Sequence, residues 1–94
     1  MLVELYGKPG CHLCDEVRAE LEEMRSVVEF TLREIDVTGD PALWARYRYD
    51  VPVVVVEGEE WARHRIVAPA AFEERLERLA ATTRGGGRAP DDGR

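Results

Sequence analysis

The chain has 94 residues and a formal net charge of −6, from 19 Asp and Glu against 13 Lys and Arg. With 45% hydrophobic and 34% charged residues it fits one small domain with its own core, which excludes wholesale disorder. The acidic balance, without a basic stripe interleaved with aromatics, argues against nucleic acid or an anionic membrane surface as partner.

Met1 to Tyr6 reads as a strand, mostly apolar and closed by Gly7-Lys8-Pro9-Gly10. Nothing in MLVELY resembles a basic n-region with a cleavage site, so the expected compartment is the cytoplasm. From Cys11 the period changes. Leu13, Val17, Leu21, Met24 and Val28 recur at helical spacing, and Asp15 and Glu16 fall in the first turn, where the helix dipole favours acids. Glu29 to Val37 is the next predicted strand. Asp40 then supplies an N-cap and Pro41 the first residue of a short helix whose apolar side is Leu43, Trp44 and Tyr47. Val51 to Val56 is the clearest strand, with Pro52 marking its beginning; as the longest uncharged apolar run, it falls far short of the roughly 20 residues of a spanning helix. Glu57-Gly58-Glu59-Glu60 reads as a hairpin turn leading to a partner strand from Trp61 to Val67. Pro69 opens a last helix with Phe72, Leu76, Leu79 and Ala80 on one face. Residues 82–94 hold Gly85-Gly86-Gly87 and no apolar period, so they are expected to form a disordered tail behind a domain of residues 1–81.

The order is β-α-β-α-β-β-α. A first βαβ unit implies a parallel pair and the last two strands a hairpin, giving an α/β domain with a four-stranded mixed sheet and three helices covering both faces.

Cys11-His12-Leu13-Cys14 contains both cysteines of the chain. The motif sits where the loop after the first strand enters a helix, and the unpaired amides and positive dipole end there stabilise a thiolate. Cys11, the more N-terminal sulfur, is the candidate nucleophile, and Cys14 the resolving thiol that attacks the mixed disulfide. In a chain with a βαβ pattern, CxxC reads as a thioredoxin-like redox motif. The rival is a metal or iron–sulfur module using the same cysteines. A closed zinc site typically wants four ligands, and no second CxxC or paired histidines accompany these, so ligands would have to come from a second chain or thiol cofactors. Two inert buried thiols are the plainest alternative. His12 reads most simply as an exposed helix-start residue, and His64, between Arg63 and Arg65, as part of a solvated face.

With CxxC at a helix start and Val51-Pro52 opening a later strand, the chain resembles the glutaredoxin branch of the thioredoxin fold, in particular the short bacterial glutaredoxin-like proteins. The matching stretches are Leu5 through Cys14, Ile35-Asp36-Val37, Asp40-Pro41, and Arg46-Tyr47 through Asp50-Val51-Pro52-Val53, within about residues 1 to 80. The resemblance implies a cytoplasmic dithiol–disulfide oxidoreductase that is a monomer and holds no tightly bound cofactor. Its partners would be disulfide-containing proteins or small thiols, with glutathione as co-substrate or a reductase as electron source. It also implies that Pro52 is cis and packed against the cysteines, and that the backbone of Val51 pairs with substrate as an added strand. Lys8 would contact a glutathione carboxylate, assisted by Arg46 or Arg48. The sequence departs from the family pattern in three places. Inside the motif, His12-Leu13 stands where Pro-Tyr is usual. Ile66-Val67-Ala68-Pro69-Ala70 stands where a Gly-Gly pair and an Asp usually hold the γ-glutamyl end of glutathione, and Asp50 stands where a Thr commonly precedes Val51.

Overall fold

Four consecutive valines, all buried, lie near the middle of the molecule, because their strand has a helix layer on each face. A computed structural model of the chain describes residues 1–86. Its strands are β1 (Leu2–Gly7), β2 (Thr31–Asp36), β3 (Val53–Val56) and β4 (Glu59–Arg63), in the spatial order β2-β1-β3-β4. Its helices are α1 (His12–Met24), α2 (Pro41–Tyr47) and α3 (Pro69–Gly86), with a short 3-10 turn over Val37–Gly39. β1 and β2 pair in parallel, with Gly7 opposite Asp36. β1 and β3 are antiparallel, with Tyr6 opposite Val53, and β3 and β4 form an antiparallel hairpin. The expected mixed sheet and crossover are present.

Period two sorts the side chains between two cores. Val3 and Leu5 of β1 with Val54 and Val56 of β3 face Val17, Leu21 and Met24 of α1 and Phe72, Leu76 and Ala80 of α3. On the other face, Val53 and Val55 pack with Val37, Val51 and Tyr47 of α2, and Cys14 joins this second cluster from the first turn of α1. The register therefore brings to one end of the sheet the end of β1, the start of β3 and the end of β4, where Val53 faces Arg63.

The boundaries differ from expectation in several places. β1 covers Leu2–Gly7 and not residues 1–6, β2 shortens from residues 29–37 to Thr31–Asp36, and β3 begins at Val53 and not at Val51, because Pro52 has no N–H to give to a ladder. The apolar stripe of α1 starts at Cys14, not Leu13: Cys14 is 1% exposed and Leu13 44%. Both positions lie one turn before Val17, and only packing chooses between them. Val28 is buried but follows the helix, its amide donating to the Met24 carbonyl at 2.8 Å. The hairpin turn shrinks to Glu57-Gly58, both at positive φ (50° and 84°), so β4 begins at Glu59 and not at Trp61. It also ends early, at Arg63, because His64 turns the chain at φ 74°. Last, α3 runs to Gly86, past the boundary expected at residue 81, and the Thr82 hydroxyl donates to the Arg78 carbonyl at 2.9 Å. Helical hydrogen bonding continues there without an apolar face to announce it. The rest of the expected tail, 87–94, lies outside the described residues. Among the described residues no helix is long and apolar enough to cross a membrane.

Candidate redox site

The loop between β1 and α1 turns at Gly10, which sits at φ +74°, a region costly for side chains with a Cβ. Cys11 follows as the N-cap of α1. Its backbone is extended, its carbonyl accepts from the Asp15 amide at 3.2 Å, and its sulfur accepts from the Cys14 amide at 3.2 Å. A cysteine sulfur here fills the role that a Ser or Asp oxygen usually fills at an N-cap. With the disulfide open, the same N–H and the positive end of α1 face whatever negative charge Cys11 carries.

Cys11 and Cys14 are joined as a disulfide, with Cα atoms 5.2 Å apart. The pair is asymmetric, because Cys11 is partly exposed while Cys14 is buried to 1%. Cys11 is open to solvent in part, and Cys14 is almost wholly covered. A residue that the sequence reading missed sits beneath Cys14. A Cβ added to Gly7 would lie 3.1 Å from the Cys14 sulfur, closer than side chains normally pack. In the sequence Gly7 looked like turn punctuation; in the fold it is the floor under the Cys14 sulfur.

The Val51–Pro52 bond is cis, as the resemblance implied. Val51 shares the second core cluster with Cys14, against which Cys11 packs, and Pro52 is fully buried. The Val51 amide donates to the Tyr47 carbonyl at 3.1 Å, which also accepts from the Asp50 amide at 2.8 Å. One of the two backbone groups expected to meet a substrate strand is thus engaged inside the chain. The Pro52 carbonyl accepts from the His64 amide at 2.7 Å, tying this segment to the end of β4. Lys8 lies elsewhere. It lines a cleft of about 260 Å³ with Gly7, Cys14, Arg18 and Asp36, and neither Val51 nor Pro52 borders that cleft. Its ammonium rests over the Trp44 ring, 5.8 Å from the centroid.

The carboxylates Asp50, Glu60 and Asp36 near the site each have a partner. Asp50, which stands where relatives commonly have a Thr, has the Arg63 guanidinium 3.4 Å away. Arg63 also grips Glu60 with two hydrogen bonds, of 2.8 and 3.0 Å, which hold the Glu60 carboxyl below its usual range. Asp36 caps the 3-10 turn, and hydrogen bonds from the Thr38 hydroxyl and amide lower its carboxyl likewise. His12 is 87% exposed and turns to Glu16, 3.0 Å away, in keeping with a helix-surface role. Tyr6 stacks on Tyr47 with centroids 4.9 Å apart, and burial, with Glu4 adding to it, pushes the Tyr6 phenol up. Among the described residues no three His, Cys, Asp or Glu side chains gather as a metal site would need.

The sequence pattern of the glutaredoxin-like domain (DUF836) matches residues 2–80. The chain belongs to this glutaredoxin-like family. An uncharacterised protein of Mycobacterium tuberculosis is 37% identical over 79 residues, covering 73% of this chain and 81% of the relative. Protein Ne2328 of Nitrosomonas europaea superposes with a TM-score of 0.68 at 29% identity, over 79% of this chain and 88% of that one. NrdH-redoxin of Escherichia coli, described as a glutaredoxin-like protein with a thioredoxin-like activity profile, gives a TM-score of 0.57 at 25% identity, over 81% and 95% of the two chains. The four strands and three helices of this glutaredoxin-like protein form the thioredoxin fold, and its two cysteines at disulfide distance support a redox role.

Proposed function

We propose that this glutaredoxin-like protein is a dithiol–disulfide oxidoreductase. The observation that carries the reading is the N-cap geometry: a partly exposed Cys11, its sulfur faced by the Cys14 amide, within bonding reach of a buried Cys14. In the reduced protein the Cys11 thiolate attacks a substrate disulfide. A Cys11–substrate S–S bond forms, the substrate S–S bond breaks, and the first substrate thiolate leaves. Cys14 then gives its proton to solvent and attacks the Cys11 sulfur. The Cys11–Cys14 bond closes, the mixed disulfide opens, and the second thiolate departs. Two electrons pass from the dithiol to the substrate.

Substrates on this reading are disulfide-bearing proteins or small thiol disulfides, and glutathione or a reductase returns the dithiol in the cytoplasm. The Val51 carbonyl would receive the substrate backbone, with its amide first released from Tyr47. Lys8, in the cleft beside Cys14, would hold a carboxylate of glutathione. The test is single-turnover reduction of hydroxyethyl disulfide by the pre-reduced protein and its serine variants. Cys11→Ser should lose the reaction, whereas Cys14→Ser should accumulate a mixed disulfide detectable by mass. Equal rates for Cys11→Ser and the parent would refute the assignment.

A further inference from the structure

The arginines whose side chains the structure describes fall into two groups. Arg18, Arg25, Arg33, Arg63, Arg75 and Arg78 each stand beside a carboxylate. Among the described residues, Arg46, Arg48 and Arg65 have no carboxylate at ion-pair distance, and all three lie at the cysteine end of the sheet. Arg46 is near the end of α2 and Arg48 is its C-cap, just before the Val51–Pro52 segment. Arg65 follows β4, one residue beyond the His64 amide that holds the Pro52 carbonyl. The two stretches are neighbours, since Arg63 at the end of β4 pairs with Asp50, 3.4 Å away.

What holds two of these cations is aromatic. The Arg46 guanidinium lies 5.1 Å from the Tyr47 ring centroid and that of Arg48 4.9 Å from the Tyr49 centroid. A guanidinium laid on a ring is positioned while its edge N–H groups stay free for an anion. Tyr49 is 80% exposed and Val67, just past Arg65, is 78% exposed, so apolar surface lies within the charge. The stretches 44–52 and 60–67 together carry four arginines against Asp50 and Glu60, in a chain whose net charge is −6.

We propose that the surface formed by Arg46, Arg48, Tyr49 and Arg65 docks an acidic polypeptide segment flanking the disulfide of a protein substrate. The inference rests on the exchange chemistry proposed above and names the substrate class it serves. The chemistry next door requires a disulfide, which polypeptides carry. The mixture of exposed tyrosine and valine with spaced guanidinium groups fits carboxylates on an extended chain. A nucleic-acid strand would need a continuous cationic track, and Asp50 and Glu60 interrupt this one. The acidic remainder of the molecule repels such a partner elsewhere and turns the cysteine end towards it.

The experiment uses the full chain, pre-reduced, and a peptide disulfide of fixed core flanked by Glu, by Gln or by Lys. The Glu-flanked peptide should be reduced on the order of tenfold faster than the Lys-flanked one at low ionic strength, with the gap closing as salt rises. A triple variant Arg46→Gln, Arg48→Gln, Arg65→Gln should bring the Glu/Lys rate ratio close to one, while Arg25→Gln, a distant paired arginine, should leave it in place. The peptide series on the parent protein decides even if the triple variant folds poorly. Equal rates for the three peptides would overturn the docking surface and leave the oxidoreductase reading standing. Failure to reduce any peptide or hydroxyethyl disulfide would overturn both. Inhibition by a single-stranded oligonucleotide, with none by a cysteine-free Glu-rich peptide, would mark a nucleic-acid surface and also overturn the proposal.

Discussion

Gly7 and Gly10 flank the same loop, yet they are glycine for different physical reasons. At Gly7 the obstacle is the Cys14 sulfur, 3.1 Å from where a Cβ would sit, so Gly7→Ala should crowd the buried Cys14 and cost about 1–3 kcal/mol. At Gly10 nothing lies within 4 Å, and the obstacle is φ +74° alone; Gly10→Ala should cost about 1–2 kcal/mol through backbone strain. Urea denaturation compares the two, and closure of the disulfide after reduction separates them further. Gly7→Ala should slow closure because it displaces Cys14, and Gly10→Ala less so. A Gly7→Ala protein as stable as the parent and closing at the parent's rate would remove Gly7 from the site. Asp36 sets the pH behaviour at this scale. Its folded pKa is lowered by Thr38, so its contribution to stability is present above the unfolded value near 3.8 and is lost as pH falls through the lower folded value. Thr38→Val removes the hydroxyl donor and should move the Asp36 carboxyl titration, followed by NMR, upwards. An unmoved titration would show that the hydroxyl contributes nothing.

At the scale of elements, α2 is the most vulnerable piece near the site. It has seven residues, and its start depends on Asp40, whose carboxylate accepts from the amides of Ala42 at 2.9 Å and Leu43 at 3.3 Å. Asp40→Ala should cost about 1 kcal/mol in chemical denaturation and loosen Tyr47, which holds the Val51 amide. No change in stability would mean that tertiary packing alone secures α2. This cap was legible in the sequence because Asp-Pro is a local signal, and so were the long period of α1, the valine run and the cysteine spacing. Local chemistry did not show which of Leu13 and Cys14 turns inward, since both lie one turn before Val17. Nor did it show where β4 begins. Glu59 and Glu60 look like turn residues, and on an exposed edge strand they are the charges that keep such an edge from pairing with another chain. Gly7 against Cys14, Arg63 beside Asp50 and the Tyr47 carbonyl on the Val51 amide are contacts between distant or bent segments, and only the fold brings them together.

Over the whole molecule, two cores share one sheet, and the cysteines belong to the smaller one. The larger core, with Leu21 and Leu76 both fully buried, should carry most of the stability, so Leu76→Ala should cost about 2–5 kcal/mol. Because Leu76 lies in the other core, that variant, where folded, should keep the parent's rate of disulfide exchange. Loss of exchange in step with stability would show that the two cores are coupled. The central claim is that the fold exposes one sulfur at the start of α1 and hides the other. Its most direct test is alkylation of the fully reduced protein by iodoacetamide across pH, with each cysteine followed separately by mass. Cys11 should react first, and should still react rapidly well below about pH 8.5, where an ordinary thiol is half-ionised, while Cys14 stays protected. Equal labelling of Cys11 and Cys14, or a Cys11 that gains reactivity only as an ordinary thiol does, would contradict it.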